Sequence, residues 1–401
     1  VTSIASAART SPVRPAHGSE PDRRLSGERA LRVLNVYSGN LFGGVERLFS
    51  TFARHSRPGD LEFEFALCFD GRLRESLGTL GVVQHDLGPV RARFPWSRAR
   101  ARARLRAILA AGAYDAVVVH SAWAQAMFAS VVRETSLPLV FYMHDVANGT
   151  HWLERWAKLY PPDLVVSNSH FTVSSAPRLY PGVPATSIYA PVDVTAPALS
   201  AAMRGEVRAS FRTRDEDVVI VQVSRLEAWK GHALMLDALG RMRANPRWVM
   251  WVVGGPQRDQ ERRYLDSLHS QAKALGIADR VRFLGERSDV PRVLAAADVF
   301  CQPNLGPEPF GIVFIEALAC SLPVVATAMG GVVEIIDETC GVLSSADPDA
   351  LAAALTPLVD DAARRHRLGS AGPARARLLC EPARQMDELT EVIRSARVSR
   401  R

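Results

Sequence analysis

An α/β architecture of two doubly wound parallel-sheet domains, facing each other across a cleft, is what this 401-residue sequence predicts. Three observations carry that expectation. Short apolar runs alternate with longer segments of helical period from Leu31 onward, the pattern lapses between about Pro191 and Asp217, and it then restarts. A chain of this length with 47% hydrophobic residues exceeds one ordinary core and suits two domains.

In the first half the runs are LRVLNVY, EFEFALCF, VVQHDL, AVVVHS, LVFYMHD and LVVSNS. Runs rich in Val, Ile and Phe, separated by helical stretches, mark parallel strands joined by crossover helices. In residues 191–217 proline, charge and small residues replace the apolar period, which marks a linker. The second half repeats the rhythm with VVIVQVS, WVMWVVGG, VRFLG, VFCQP, PVVAT and GVLS, separated by segments such as RRYLDSLHSQAKAL. The expected units are a tail over 1–29, a first domain over 30–190, the linker, a second domain over 218–375, and a C-terminal helix and tail over 376–401 that can pack back on the first domain.

The tail is rich in Ser, Pro and Arg and lacks a continuous apolar core, so it reads as disordered and as neither signal peptide nor membrane span. Five scattered cysteines, Cys68, Cys301, Cys320, Cys340 and Cys380, show no metal-ligand spacing and suit a reducing, cytoplasmic setting. The net charge of +7 comes almost wholly from arginine, because the only lysines are Lys158, Lys230 and Lys273. Basicity suits an anionic partner. No nucleic-acid-binding motif accompanies it, so nucleic acid is not the expected partner.

In open α/β sheets ligands bind beyond the carboxyl ends of the strands, so the residues after each run are the ones to read for chemistry. After VVIVQVS come Arg225 and, five residues on, Lys230-Gly231, a forked and a compact cation suited to the oxygens of a diphosphate. In PNLGPEPFGIVFIEALACSLPVVAT, Gly311 marks a helix start. The backbone N–H groups of Gly311, Ile312 and Val313, next to Phe310, can then attract phosphate. Glu308 lies at that helix mouth, and Glu316 falls more than a turn inside. At ~1.5 Å rise per residue the two carboxylates must hold different parts of one elongated ligand, one a hexose and the other a ribose. Gly43-Gly44, after LRVLNVY, lets backbone approach a ligand closely. His120 ends AVVVHS, and His144 and Asp145 end LVFYMHD; a lone histidine in such a place is more often structural than catalytic.

Taken in order, the Gly43/Gly44 loop, the Arg225/Lys230 pair and the Glu308/Glu316 pair around PFGIVFIEAL resemble glycosyltransferase family 4, the retaining nucleotide-sugar transferases of GT-B fold, built from two Rossmann-like domains. The resemblance is strongest from about Val218 to Asp347 and traceable from Leu31 to Asp193. It implies that Arg225 and Lys230 grip the diphosphate of a UDP- or GDP-linked sugar, Glu308 touches the transferred sugar and Glu316 binds the ribose. It also implies that His120 is a sugar-binding histidine and that the first domain holds the hydroxyl acceptor, a glycan, glycolipid or small natural product. Where the family often has Asn-Gly-Val-Asp, this chain has Ala190-Pro191-Val192-Asp193, a departure that touches the hinge.

The implied reaction is front-face hexosyl transfer with retention, without cofactor or metal. The strings Asp215-Glu216-Asp217 and Asp347-Pro348-Asp349 read instead as a linker turn and a capped helix start. An epimerase, a phosphorylase or a silent sugar-nucleotide binder shares pieces of this pattern, although a phosphorylase normally needs a further lysine for pyridoxal phosphate. Finally, RARFPWSRARARARLRAILA sets seven arginines between Arg91 and Arg106 beside Phe94 and Trp96. That composition fits either peripheral contact with an anionic membrane or a solvated helix with Leu105, Ile108 and Leu109 turned inward.

Overall fold

Residues 30–39, 43–57 and 60–399 are described by the computed structural model; the tail expected over 1–29 lies outside the described residues. The first sheet contains β1 (Leu31–Tyr37), β2 (Leu61–Leu67), β3 (Gln84–Asp86), β4 (Ala116–His120), β5 (Leu139–Met143), β6 (Leu164–Ser167) and β7 (Ala185–Ser187). The second contains β8 (Val218–Val223), β9 (Trp248–Val253), β10 (Val281–Gly285), β11 (Val299–Gln302), β12 (Val324–Thr327) and β13 (Gly341–Ser344). Their orders are β3-β2-β1-β4-β5-β6-β7 and β10-β9-β8-β11-β12-β13, with parallel pairing at the β1–β4 and β8–β11 junctions as elsewhere.

The strands formed by apolar runs are buried on both faces, as parallel strands covered by helices must be: every residue of β4, β5 and β9 is buried. Both sheets reverse their strand order at one point, between β1 and β4 and between β8 and β11. There the flanking crossovers diverge and leave a crevice at the carboxyl ends. The two crevices face one another across the cleft.

Two features escape a reading by apolar period. The edge strand β7 is three residues, Ala-Thr-Ser, none of them fully buried. Within the segment read as linker, Ala201–Ser210 is a helix, capped by Ser200 Oγ accepting from the Met203 N–H. It joins the second domain through charge. Arg208, 1% exposed, donates to the carbonyls of Ala296 (3.0 Å) and Asp217 (2.8 Å) and pairs with Asp298 (2.5 Å). Removing one partner of such a pair costs about 3–5 kcal/mol.

The C-terminal helix Pro382–Ser399 crosses back to the first domain. Arg57 pairs with Asp387 at 2.7 Å and Arg397 with Asp115 at 2.9 Å, while Val192 N–H donates to the Cys380 carbonyl at 3.1 Å. The string Asp347-Pro348-Asp349 is a helix start, with Asp347 accepting from the N–H groups of Asp349 and Ala350. Asp217 is likewise engaged, by Arg214. Among the described residues no helix is long and apolar enough to cross a membrane.

Candidate functional site

A cavity of about 550 Å³ lies between the domains. Its walls are the segments that follow β1, β5 and β6 on one side and β8, β9, β10 and β11 on the other. This volume is in the range that encloses a small ligand.

From the second domain, β8 ends in Val223-Ser224-Arg225, and a single 3₁₀ turn, Ala228–Lys230, carries Lys230 to the cavity. Gly231 follows with φ +75°, and a Cβ there would stand 1.7 Å from the Pro303 carbonyl oxygen, so only glycine lets this turn lie against the β11 loop. Glu227 organises the turn: it pairs with Arg225 at 3.1 Å and accepts from Trp229 Nε1 at 2.9 Å. The Trp229 ring lies 3.8 Å beneath the Lys230 ammonium.

Glu308 accepts from Lys230 Nζ at 2.6 Å and from Asn304 Nδ2 at 2.7 Å, both on Oε2. The loop bearing Glu308 is held from two sides. Gly330 and Gly331 pack against it so closely that a Cβ at either would fall 2.3–2.4 Å from its backbone oxygens. From the first domain, Ser169 and Thr172 donate their hydroxyls to the Pro309 carbonyl at 2.5 and 3.0 Å. Glu334 fastens the same edge by accepting from the N–H groups of His170 and Phe171 and from Tyr189.

Gly311, at φ +92°, starts the helix Ile312–Ala319. The N–H groups of its first turn lack intrahelical acceptors and lie at the cavity wall. The Phe310 side chain is 1% exposed and stacked on Tyr189 at 5.5 Å, so this residue can offer a ligand only its backbone. One turn further in, Glu316 forms an ion pair with Arg47 of the first domain, while its Oε2 is buried without a hydrogen-bond partner. Burial pushes this carboxyl up, and Arg47 opposes the shift.

From the first domain, Gly43 donates its N–H to Glu46 Oε2 at 2.7 Å, and Tyr37 OH donates to Oε1 at 2.6 Å. Burial raises the Glu46 carboxyl and the Tyr37 phenol alike. A Cβ on Gly44 would come within 3.9 Å of Ile312, so this glycine faces the helix start at Gly311 directly.

The structure corrects the expectation for His120. It is 0% exposed, and both ring nitrogens are occupied, Nε2 by Asn35 Oδ1 and Nδ1 by His144 Nε2, each at 2.9 Å. No ligand can reach it. His144, one strand over, lines the cavity in its place. Burial pushes His144 down to about 3 and holds His120 well below its ordinary value, so both rings are neutral. Asp145 also lines the cavity but remains exposed; desolvation by the surrounding walls, with the Glu308 carboxylate nearby, raises its carboxyl.

The cavity therefore brings together Gly43, Gly44, Arg225, Lys230, Glu308, Gly311, Ile312, Val313 and Glu316, and leaves out His120. It adds Arg47, Asn168, Gly254 and Gly255, for which the sequence offers only weak signals. Gly254-Gly255 after the β9 run was the legible one: Gly254 has φ +143°, and a Cβ there would stand 1.9 Å from the Ser224 carbonyl oxygen. Among the described residues no three His, Cys, Asp or Glu side chains are grouped to hold a metal ion.

Two doubly wound domains closing on a cavity lined with cations and a helix start define a protein of the GT-B class. Comparison with known proteins narrows this. Residues 42–196 match the family model described as Glycosyltransferase Family 4, and residues 203–375 match that of Glycosyl transferases group 1. The two stretches that carry the first and the second sheet thus each match a glycosyltransferase family model, the first of them that of family 4.

It is 32% identical over 305 residues to a D-inositol 3-phosphate glycosyltransferase of Salinispora tropica, covering 68% of this chain and 62% of that protein. It is 33% identical over 181 residues to the GDP-mannose-dependent monoacylated alpha-(1-6)-phosphatidylinositol monomannoside mannosyltransferase of Corynebacterium glutamicum, covering 43% of this chain and 45% of the relative. The matched stretches span about half the length of these curated relatives. Among solved structures, Anabaena HepE, crystallised with UDP and glucose, superposes with a TM-score of 0.81 at 24% identity over 91% of this chain and 100% of that one. Sucrose-phosphate synthase from Thermosynechococcus elongatus does so with 0.74 at 19% identity over 91% and 100%.

Proposed function

We propose that this chain transfers a hexosyl group from a nucleoside diphosphate sugar to an acceptor hydroxyl, keeping the donor's anomeric configuration. The observation that carries this reading is the convergence of Arg225, Lys230 and the helix start at Gly311–Val313 on one cavity that also holds Glu308 and Glu316. Two cations and a helix N-terminus suit a diphosphate. Lys230 already touches Glu308, so the diphosphate and the reacting sugar lie side by side. Glu316, deeper along the helix and lining the same cavity, takes the ribose. The acceptor hydroxyl attacks from the face the diphosphate leaves, and a departing phosphate oxygen takes its proton. The protein's contribution is prepositioned charge for the leaving group, at about 1.5–3 kcal/mol for each charge-assisted contact. That counter-charge makes the reaction independent of metal and of any cofactor.

The relatives' names point to a donor such as GDP-mannose and to acceptors carrying inositol phosphate. An acceptor of lipid-linked kind agrees with the arginine-rich helix Pro95–Ala111. Leu105 and Leu109 of that helix face inward, whereas Trp96 is 68% exposed beside exposed Arg91, Arg93 and Arg100. Arg102, Arg104 and Arg106 are engaged by the Met127 carbonyl, Asp86 and Glu134. A peripheral membrane contact therefore belongs to the N-terminal end of this helix.

The test is a thermal-shift series with UDP, GDP and ADP, followed by mass spectrometry of reactions with the matching sugar nucleotide and inositol 3-phosphate or phosphatidylinositol vesicles. Stabilisation by one nucleotide and a hexosylated product are expected. No stabilisation by any of the three, together with no product, contradicts the reading.

A further inference from the structure

Among the described residues five cations line the cavity, Arg47, Arg72, Arg225, Lys230 and Arg287, and each is paired with a carboxylate. A diphosphate that enters therefore meets charges that already largely cancel. It is drawn most strongly to a cation whose carboxylate is given up as the ligand binds. The oxygen atoms decide which cation that is. Lys230 and Asn304 both bond to Oε2 of Glu308, which leaves Oε1 for a sugar hydroxyl without loosening the lysine. Glu316 has no such spare oxygen. Its Oε2 is buried, and Oε1, the oxygen presented to the cavity, is the one that Arg47 holds.

A ribose hydroxyl can bond to Glu316 only by taking the place of the Arg47 guanidinium. The displaced group has an acceptor position close by. Arg47 is the fourth residue of the helix Gly44–Arg54, and Gly44 lies against Ile312, the first residue of the helix Ile312–Ala319. Glu316 stands four residues along that second helix, about 6 Å of rise from its start, and helical side chains lean toward the N-terminus, which shortens the distance. The guanidinium therefore needs a swing of less than that length to reach a phosphate seated on the N–H groups of Gly311–Val313.

We propose that Arg47 is a donor-binding residue that changes partners: the ribose of the nucleotide displaces it from Glu316, and its guanidinium then holds the diphosphate from the side of the first domain. This rests on the reading of the cavity as the donor site and goes beyond it by giving the first domain a cation for the diphosphate. Before binding, Arg47 compensates the largely buried carboxylate of Glu316. After binding, ribose hydroxyls do so, and a third cation joins Arg225 and Lys230. A nucleoside, with ribose but no phosphate, breaks the ion pair without offering the guanidinium a new anion. The exchange thus favours a ligand that carries both parts, and it draws the first domain onto the donor.

Calorimetric titrations of wild type, Arg47→Met and Arg47→Lys with GDP and guanosine, UDP and uridine, and ADP and adenosine test the exchange, at about pH 8 to keep carboxylates ionised. For the base that binds, Arg47→Met should weaken diphosphate binding about ten- to a hundredfold, the loss of one charge-assisted contact. The same change should strengthen nucleoside binding about three- to tenfold, since no ion pair has to be broken. Arg47→Lys, which keeps the charge, should fall between wild type and Arg47→Met for both ligands, and melting temperatures of the ligand-free variants check that each is folded. Wild-type diphosphate affinity in Arg47→Met, or a nucleoside affinity that stays level or falls, overturns the proposal. Arg225→Gln separates this from the donor-site reading. Diphosphate binding that needs Arg225 but is indifferent to Arg47 refutes the exchange and leaves the donor site standing, whereas indifference to both, or no binding to wild type, refutes the site itself.

Discussion

Replacing Glu308 and Glu316 separately by glutamine should produce two different kinetic defects. Glu308 faces the Lys230 ammonium at 2.6 Å with both side chains about nine-tenths buried, at 10% and 12% exposure. In Glu308→Gln the buried lysine loses its counter-ion, and the charge that develops at the anomeric carbon loses a neighbouring carboxylate. One charge-assisted contact contributes about 1.5–3 kcal/mol, so kcat should fall roughly ten- to a hundredfold with a smaller change in donor KM. Glu316, on the ribose side of the cavity, acts on the ground state. Glu316→Gln should raise donor KM by a similar factor, with much of the rate recovered at saturating donor. Because Glu316 also pairs with Arg47 across the cleft, the melting temperatures of both ligand-free variants must accompany the kinetics. If both variants show the same modest KM change with intact kcat and unaltered melting, Glu308 does not serve the reacting sugar.

Three further outcomes are expected. Transfer should survive EDTA, since Arg225, Lys230 and the helix start supply the counter-charge; abolition by EDTA with rescue by manganese would overturn this. Stability should fall on acidification from about pH 7.5 to 5.5. His120, His144 and His232 are buried with folded values below the ordinary 6.5, His144 to about 3 and His232 to about 4, so the unfolded chain binds more protons in that window. His144 and His232 each contribute about 1.4 kcal/mol of loss at pH 5.5, His120 adds in the same direction, and a flat profile of melting temperature against pH contradicts the assignment. Flotation with anionic liposomes should exceed flotation with neutral ones and should drop in Trp96→Ser combined with Arg91, Arg93 and Arg100→Ser; equal flotation on both lipids ends the membrane proposal.

The fold was legible because its information is apolar: β4, β5, β8 and β9 are runs of Val, Ile, Met, Phe and Trp that only a doubly covered parallel sheet buries. The elements that escaped hold their place by other means. The helix Ala201–Ser210 is secured by the Arg208–Asp298 pair, which no hydrophobic period reveals, and β7 is a half-buried edge. In the site, residues tied to a glycine or a helix start were readable, because φ near +75° at Gly231 and +92° at Gly311 demands that residue type. His120 and His144 were not separable in this way, since both end neighbouring strands and only the hydrogen bonds decide which ring reaches the cavity. Arg47 was invisible for a similar reason: an arginine on an amphipathic helix looks like a solvated face until the second domain sets Glu316 opposite it.

Calorimetric titration of the nucleoside diphosphate that stabilises the protein, into wild type, Arg225→Gln, Lys230→Met and the double variant, decides whether the cavity between the domains holds the donor. If these cations hold the diphosphate, each single change weakens binding about ten- to a hundredfold, as the loss of one charge-assisted contact requires. The double variant should then bind more weakly than either. Wild-type affinity in the double variant, with its fold intact, would mean that the diphosphate lies elsewhere and that the cavity between the two domains is not the donor site.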